Sequence, residues 1–264
     1  MSYRFQTLSA AVGPAERREV LARLRHYLVR ADPWGDGAGH DRDRVMTLGV
    51  AEIDDALPWG GLPLGCLHEI AGPAEDGAAT GFGAFLLGRL AARGRAVAWI
   101  TRDDDLYGPG LAALGLTPEH LIVVAARRPA ETLWAMETAL RCRDLEAVLI
   151  ELRGAVDFVA SRRLQLAARA SGVTGLVMRC GAAEAAPSAA ITGWQVASAP
   201  SAAAADGWRS RWLVTLTRCR GRIQGEQGYV DRWCLDGPDA PHPLAVAAGS
   251  ADRPLVAAAA GLAR

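Results

Sequence analysis

A glycine-rich loop between an apolar strand and an apolar helix constrains this chain more than any other feature. The strand is predicted over 66–71, the loop has the pattern G-x-x-x-x-G from Gly72 to Gly77, and the helix is predicted over 82–92. A strand, a glycine loop and a helix form the framework of a phosphate-binding loop, in which backbone N–H groups at the helix N-terminus face a phosphate. The framework predicts an α/β fold with this loop at its centre.

The two side chains that such a loop uses for chemistry are absent. A lysine after the second glycine reaches the terminal phosphates, and the next Ser or Thr hydroxyl holds magnesium. Here these positions are Ala78 and Ala79, and all 29 basic residues of the chain are arginines. Glu75 and Asp76 in the same loop would repel an anion, so we expect ATP and Mg²⁺ to bind weakly or not at all. The positions that would border a nucleotide are Gly72, Pro73, Glu75, Asp76, Gly77, Ala78, Ala79 and Thr80.

Strands alternate with helices through the rest of the chain. Further strands are predicted over 95–100, 121–125, 147–152 and 174–180, with helices over 107–116, 129–142 and 156–170. This alternation predicts a mostly parallel sheet with helices on both faces and right-handed crossovers. Alternating residues over 212–218 and 228–235, with a turn at Gly221 and Arg222, predict a C-terminal antiparallel hairpin. Trp134 and Met136, in the helix over 129–142, are expected in the core.

The chain divides into three predicted parts. Residues 1–44 hold an amphipathic helix over 14–30 and a linker, 45–236 form the core, and 237–264 form a flexible Ala/Pro/Gly-rich tail. Residues 181–206, rich in Ala, Ser and Pro, are predicted to be a mobile loop rather than a core element.

Composition excludes several classes of protein. The formal net charge is zero, so no global field draws the chain to nucleic acid or membrane. The five cysteines form no C-x-x-C pair and the five histidines no H-E-x-x-H motif, which argues against a metal site. The first twenty residues contain no apolar core of the kind a signal peptide has, and the sequence has no run of ~20 apolar residues, so we expect a soluble, cytoplasmic protein without a membrane partner.

Two acidic residues follow or close predicted strands. Asp103 comes shortly after the strand over 95–100, and Glu151 lies near the end of the strand over 147–152. Carboxyl ends of parallel strands border the ligand crevice of an α/β fold, so both residues are candidate catalytic groups if the protein hydrolyses ATP. The alternative is that both are solvated carboxylates at strand ends.

Arginines and aromatic residues are interleaved through the hairpin region. The arginines are Arg209, Arg211, Arg218, Arg220, Arg222 and Arg232, and the aromatic residues are Trp208, Trp212, Tyr229 and Trp233. This composition is typical of a platform for single-stranded DNA. The same alternation also fits a hairpin with its tryptophans in the core and its arginines in water, and both interpretations stay open.

The segment over 47–73, TLGVAEIDDALPWGGLPLGCLHEIAGP, is similar to the opening of the RecA/recombinase core, in which G…LD..L.GGLP.G…EI.GPE leads into the phosphate loop. The resemblance covers residues 45–235 in element order. It implies that Asp103 takes the place of the catalytic glutamate and Glu151 that of the acid closing the second nucleotide motif. Residues 181–206 would take the place of the DNA-binding loop. Arg218 and Arg220 resemble paired basic residues that reach a neighbour's nucleotide across a filament interface.

The degenerate loop, the chain length and the Ala/Pro tail most resemble one RecA-like subfamily, the ImuA proteins, sometimes labelled SulA-like. That resemblance implies a DNA-repair accessory role in the SOS response, namely translesion synthesis and mutagenesis. Its implied partners are the polymerase-like protein ImuB, RecA and an error-prone polymerase, with nucleoid association on induction. It implies a scaffold without efficient ATP hydrolysis.

Two alternatives stay open beside that function. One is a DNA-stimulated ATPase in which Arg89, or Arg218 or Arg220 from a neighbour, replaces the missing lysine. The other is a cell-division inhibitor of the SulA type, suggested by the label alone.

Overall fold

The computed structural model describes most of the predicted core. The described residues are 44–103, 105–154, 156–181, 187–201, 203–204, 207–208, 210–220, 232–238 and 244–246. The predicted N-terminal helix over 14–30 and almost all of its linker lie outside these residues.

One large sheet organises the described residues. The strands are β1 (Val45–Met46), β2 (Leu62–Pro63), β3 (Leu67–Gly72), β4 (Ala96–Thr101), β5 (Leu121–Ala125), β6 (Leu145–Arg153), β7 (Thr174–Cys180), β8 (Thr192–Ala199), β9 (Ala203–Ala204), β10 (Gly207–Trp208), β11 (Arg211–Cys219), β12 (Arg232–Asp236) and β13 (Ala245–Val246). Nine of them form one sheet in the order β13-β12-β11-β8-β3-β7-β6-β4-β5, while β1–β2 and β9–β10 form separate antiparallel pairs.

Six neighbouring strands of the large sheet, from β8 to β5, are parallel, and β11, β12 and β13 continue it antiparallel. The predicted α/β fold with a mostly parallel sheet and a C-terminal hairpin is confirmed. We call the edge at which β3, β4, β6 and β7 end the carboxyl edge, and the edge at which they begin the amino edge.

Helices cover both faces of the sheet. They are α1 (Ala51–Asp54), α2 (Ala78–Ala91), α3 (Gly108–Ala113), α4 (Pro129–Leu140) and α5 (Phe158–Ser171), with a 3₁₀ turn at Pro118–His120. Successive strand residues point to opposite faces. Trp99 therefore packs in the core that contains α2, whereas Ile100 packs in the core that contains α4 and α5.

The central helix is apolar all round, which is why it is buried. Most of α2 is inaccessible to solvent, and Phe82 lies within 6.0–6.4 Å of the rings of Phe85, Trp194 and Trp212. A helix without a polar face belongs inside a protein. The helix begins at Ala78, four residues before its predicted start, because the loop after β3 is only five residues long.

The prediction for residues 181–206 is wrong in its second half. Thr192–Ala199 is not a loop but the strand β8, which lies in the middle of the sheet between β3 and β11. Trp194 and Val196 are almost completely buried against α2. Small and polar residues between them disguise the strand in the sequence.

The antiparallel hairpin follows β8. Arg211–Cys219 pairs with Arg232–Asp236, as predicted, and the connection over 221–231 lies outside the described residues. The short strand Ala245–Val246 then pairs with β12, inside the segment predicted to be a tail. The predicted boundaries at 44 and 236 remain predictions.

Candidate functional site

The glycine loop lies where the sequence places it, between β3 and α2 at the carboxyl edge. Pro73 and Glu75 are exposed, whereas Gly72 is buried and Asp76 is half-buried. The loop thus has the order of a phosphate-binding loop, with its second glycine immediately before the first residue of α2.

A carboxylate of the loop itself sits at the N-terminus of α2. Asp76 Oδ1 accepts a hydrogen bond from the backbone N–H of Ala78 at 3.0 Å, and Oδ2 accepts one from the backbone N–H of Ser198 at 2.5 Å. The Ser198 hydroxyl also donates to Asp76. Negative charge is favourable at a helix N-terminus because the first N–H groups and the helix dipole both attract it.

The hydrogen bonds keep Asp76 ionised. Partial burial raises the pKa of this carboxyl, but the bonds from Ser198 and Ala78 outweigh burial and hold the pKa below its ordinary value. The chain therefore places its own anion where a phosphate-binding loop would receive one from a ligand.

The two alanines that replace lysine and the hydroxyl residue face the core. Ala78 and Ala79 are both buried. A Cβ at Gly72 would lie 2.7 Å from the Ala79 side chain and 2.6 Å from the backbone oxygen of Val196 on β8. Position 72 therefore requires glycine, and the two buried alanines offer neither the charge nor the hydroxyl that holds a magnesium-bound nucleotide, so the residues present do not fit that group. Thr80, the last loop position predicted to matter, is half-buried beside the Cys180 thiol.

The structure brings the two predicted acids together at the carboxyl edge. Asp103 Oδ2 lies 3.4 Å from a guanidinium nitrogen of Arg153, and Glu151 lies two residues before that arginine on β6. Burial and the nearby Asp105 and Asp103 charges raise the pKa of Glu151. Its Oε1 lies 3.8 Å from the Cys180 sulfur, and burial together with Glu151 raises the pKa of that thiol to about 11.

Of the arginines predicted to replace lysine, Arg89 lies away from the loop of its own chain, whereas a role of Arg218 or Arg220 from a neighbouring chain stays a prediction. Arg89 is in the last turn of α2, roughly 16 Å along the helix from Ala78, where it donates to the backbone oxygen of Thr47 at 3.1 Å. Arg218 lies near the amino edge, because β11 runs antiparallel to β8, and its guanidinium is 3.2 Å from the buried Glu69 carboxylate.

The other predicted contact arginines are spread over both edges. Arg220 follows β11 at the amino edge, where burial and the charges of Arg162 and Arg218 lower its pKa. Arg211 is at the carboxyl edge and is paired with Asp236 at 2.6 Å. Arg209 and Arg222 lie outside the described residues. A role for these arginines in binding DNA or a neighbour stays a prediction.

Two aromatic residues of the predicted DNA platform belong to the core. Trp212 and Trp233, one on each strand of the hairpin, are about 5% exposed and pack in the core that contains α2. Trp212 also contacts α2 at Gly81 so closely that a Cβ there would lie 2.9 Å from the indole ring. Their positions agree with a hairpin that has its tryptophans in the core and not with a platform that exposes them to DNA. Tyr229 and the side chain of Trp208 lie outside the part of the chain that the structure describes.

Sequence reasoning missed the partners of these groups. Glu69 is buried within β3 and lies 3.9 Å from the buried Arg179 as well as next to Arg218. Ser198, which holds Asp76, is 122 residues away along the chain. The available signal was the acid Glu69, beside His68 in a strand that is predicted to be buried, because a buried charge requires a partner.

Within the ranges described, no group of three or more His, Cys, Asp or Glu side chains is arranged to hold a metal ion. None of the helices in these ranges combines the length and apolar character needed to cross a membrane.

Solved structures identify the fold. The chain is similar to the crystal structure of the RadB recombinase, with a TM-score of 0.53 and 15% identity, over 76% of this chain and 99% of RadB. At this identity the likeness concerns the fold alone, and it confirms the RecA-like core.

Sequence comparison identifies the family. No family model matches the chain. Protein ImuA of Caulobacter vibrioides, in strains NA1000/CB15N and ATCC 19089/CIP 103742/CB 15, is 38% identical over 237 aligned residues, which cover 82% of this chain and 94% of the relative. A core with the RecA-like fold, a phosphate loop without its lysine and hydroxyl, and this identity over nearly the whole relative lead to one conclusion: the chain belongs to the ImuA family.

Proposed function

We propose that this protein is a RecA-like accessory factor of damage-induced translesion DNA synthesis that acts by binding partners rather than by hydrolysing ATP. Membership of the ImuA family supports the pathway. The proposed partners are an ImuB-like protein, RecA and an error-prone polymerase. The proposed place of action is the cytoplasm, with nucleoid association on induction.

The observation that carries the proposal is the position of Asp76. Its carboxylate accepts hydrogen bonds from Ala78 and Ser198 at the N-terminus of α2. A nucleotide phosphate would have to displace this carboxylate or bind beside it, against the repulsion of like charges. Because Asp76 is tied to β8, displacement also costs the hydrogen bonds to Ser198.

The missing side chains support the same conclusion. Phosphoryl transfer depends on positioned positive charge, and loss of one stabilising donor commonly lowers a rate by ~10²–10³. Two such groups are replaced here by buried alanines. Of the arginines considered as substitutes, Arg89 lies far from the loop and donates to the Thr47 backbone oxygen, and Arg218, considered as a contact from a neighbouring chain, is paired with the buried Glu69.

One observation favours a second candidate, a weak DNA-stimulated ATPase. Asp103, Glu151 and Arg153 lie together at the edge that holds the loop. In that case Asp103 would activate water, and Arg153 would be better placed than Arg89 to face a phosphate. Nothing in the described part of the chain favours the cell-division inhibitor.

Nucleotide binding and hydrolysis, measured on the whole protein with magnesium and with or without single-stranded DNA, test the proposal. We expect neither binding nor turnover at millimolar ATP. Asp76→Asn, which keeps the shape and removes the charge, should gain affinity for phosphate relative to the parent chain. ATP turnover that Asp103→Asn abolishes would establish the second candidate instead.

The scaffold role has its own test. Co-purification with an ImuB-like protein and with RecA should succeed with and without ATP, and Asp103→Asn should leave it unchanged. Failure to bind either partner, with a correctly folded chain, would contradict the scaffold role whatever the nucleotide measurements give. Direct contact with single-stranded DNA through Arg211, Arg218 and Arg220 would appear as binding that weakens steeply with salt.

A further inference from the structure

We propose that a basic groove at the amino edge of the sheet, opposite the phosphate loop, is a docking site for an acidic peptide segment that carries an apolar side chain. The inference goes beyond the proposed function, since it rests on this groove alone and not on the state of the loop.

Topology concentrates arginines at this edge. Parallel strands all begin on one side, so the residues just before β4 and β6 and at the end of α5 come together. The groove there has a volume of about 710 Å³. Its basic lining residues are Arg44, Arg93, Arg95, Arg143 and Arg169. A second part of about 470 Å³ shares Arg143 and Leu166 with the first.

Charge in the groove is strongly unbalanced. Seven arginines and two glutamates line its two parts, although the whole chain has a formal net charge of zero. Both glutamates form ion pairs with arginines of the groove. Glu146 pairs with Arg93 at 2.8 Å and with Arg95 at 2.6 Å. Glu137 pairs with Arg141 and Arg163. The groove is therefore complementary to a partner with several negative charges.

These ion pairs also hold the groove in shape. Glu146 is buried and fixes two guanidinium groups side by side, and Arg95 donates to the backbone oxygen of Arg143 at 2.7 Å. Arg143 in turn donates to the backbone oxygen of Ala170 at 3.3 Å. Side chains that are already ordered lose less entropy when a partner binds.

The apolar part of the lining favours a peptide over a nucleic acid. Leu166 is 48% exposed and lies where the two parts of the groove meet, with Leu64 and Ala170 nearby. None of the groove's lining residues is aromatic, so the surface lacks the platform on which single-stranded bases stack. Aliphatic contacts suit a leucine-like side chain, and the arginine forks suit carboxylates.

Fluorescence polarisation on the whole protein tests the proposal, with a short labelled peptide of Asp, Glu and Leu and, separately, a labelled oligothymidine. We expect the peptide to bind at low salt and to weaken as salt rises. Arg143→Ala combined with Arg169→Ala should weaken it about tenfold, and the Glu substitutions at both positions should weaken it further. Replacing the peptide's leucines by serine should also weaken binding.

Arg127→Ala combined with Arg102→Ala is the matched control, because both arginines are exposed and lie at the carboxyl edge. Melting temperatures establish that every variant folds. The proposal is overturned if the peptide does not bind, or if the groove and control variants bind it equally. It is also overturned if oligothymidine alone binds in a manner that depends on Arg143 and Arg169.

Discussion

Replacing Asp76 by alanine should destabilise the protein measurably, even though the residue lies in a surface loop. The substitution removes the hydrogen bonds to Ala78 and Ser198 and the negative charge at the N-terminus of α2. Loss of a helix N-terminal acceptor typically costs about 0.5–2 kcal/mol. Hydrogen bonds to charged groups contribute about 1.5–3 kcal/mol when buried, but Ser198 is exposed and solvent screens these bonds.

We therefore expect the free energy of unfolding to fall by about 1–2 kcal/mol. For a domain of this size, that corresponds to a melting temperature lower by about 2–8 °C. Urea denaturation gives the free energy, and differential scanning calorimetry gives the temperature.

Glu75→Ala is the matched control, since Glu75 is an exposed acid in the same loop, and it should change stability by less than about 0.5 kcal/mol. Because the folded pKa of Asp76 is lowered, its contribution is present above the unfolded pKa and is lost as pH falls through the folded value. Equal stabilities of Asp76→Ala and Glu75→Ala at neutral pH would show that Asp76 does not stabilise the N-terminus of α2.

Three further predictions concern buried residues of the strand β3. Gly72→Ala should lower the free energy of unfolding by about 1–3 kcal/mol, measured by urea denaturation, because the added Cβ would lie 2.6 Å from the Val196 backbone oxygen. An unchanged urea midpoint would show that β8 moves to accommodate the added methyl group. Glu69→Gln should lower the free energy of unfolding by about 3 kcal/mol, since it leaves the Arg179 guanidinium buried without its carboxylate. A loss below about 1 kcal/mol, the value typical of an exposed ion pair, would contradict a buried ion pair here. Burial lowers the pKa of His68 to about 4, so between the unfolded value of 6.5 and 4 the unfolded chain binds more protons. Stability should then rise with pH by roughly 3 kcal/mol across this window, and His68→Gln should flatten that rise.

Much of the fold could be predicted from local sequence patterns. The strands over 121–125 and 174–180 have the predicted bounds, because both are short β-branched or apolar runs between turn residues. The strand β8 could not be recognised in the same way. Small or polar residues make up all of its sequence, TGWQVASA, except Trp194 and Val196, and its position between two other strands makes it a core element.

One residue of α4 that was expected in the core lies at the surface. Trp134 was expected in the core with Met136, and the prediction holds for Met136, which is fully buried. The prediction is wrong for Trp134, which is 69% exposed. Residues two apart on a helix lie about 200° apart around its axis, so Trp134 and Met136 point to nearly opposite sides and only one of them reaches the core.

The candidate site was predictable in its residues and not in its contacts. The sequence shows that Asp76 would oppose a phosphate, because it is an acid inside a glycine loop. That Ser198 holds this carboxylate at the helix N-terminus depends on the pairing of β8 beside β3. The inward direction of Arg218, toward Glu69, likewise depends on the antiparallel register of β11.

ATP binding to the purified whole chain, measured by isothermal titration calorimetry with magnesium and repeated with Asp76→Asn, tests directly whether Asp76 has taken the place of a phosphate. The proposal that the loop no longer uses ATP predicts no saturable binding to the parent chain at millimolar ATP and a gain of affinity in Asp76→Asn. Saturable binding to the parent chain, together with hydrolysis that Asp103→Asn abolishes, would contradict it.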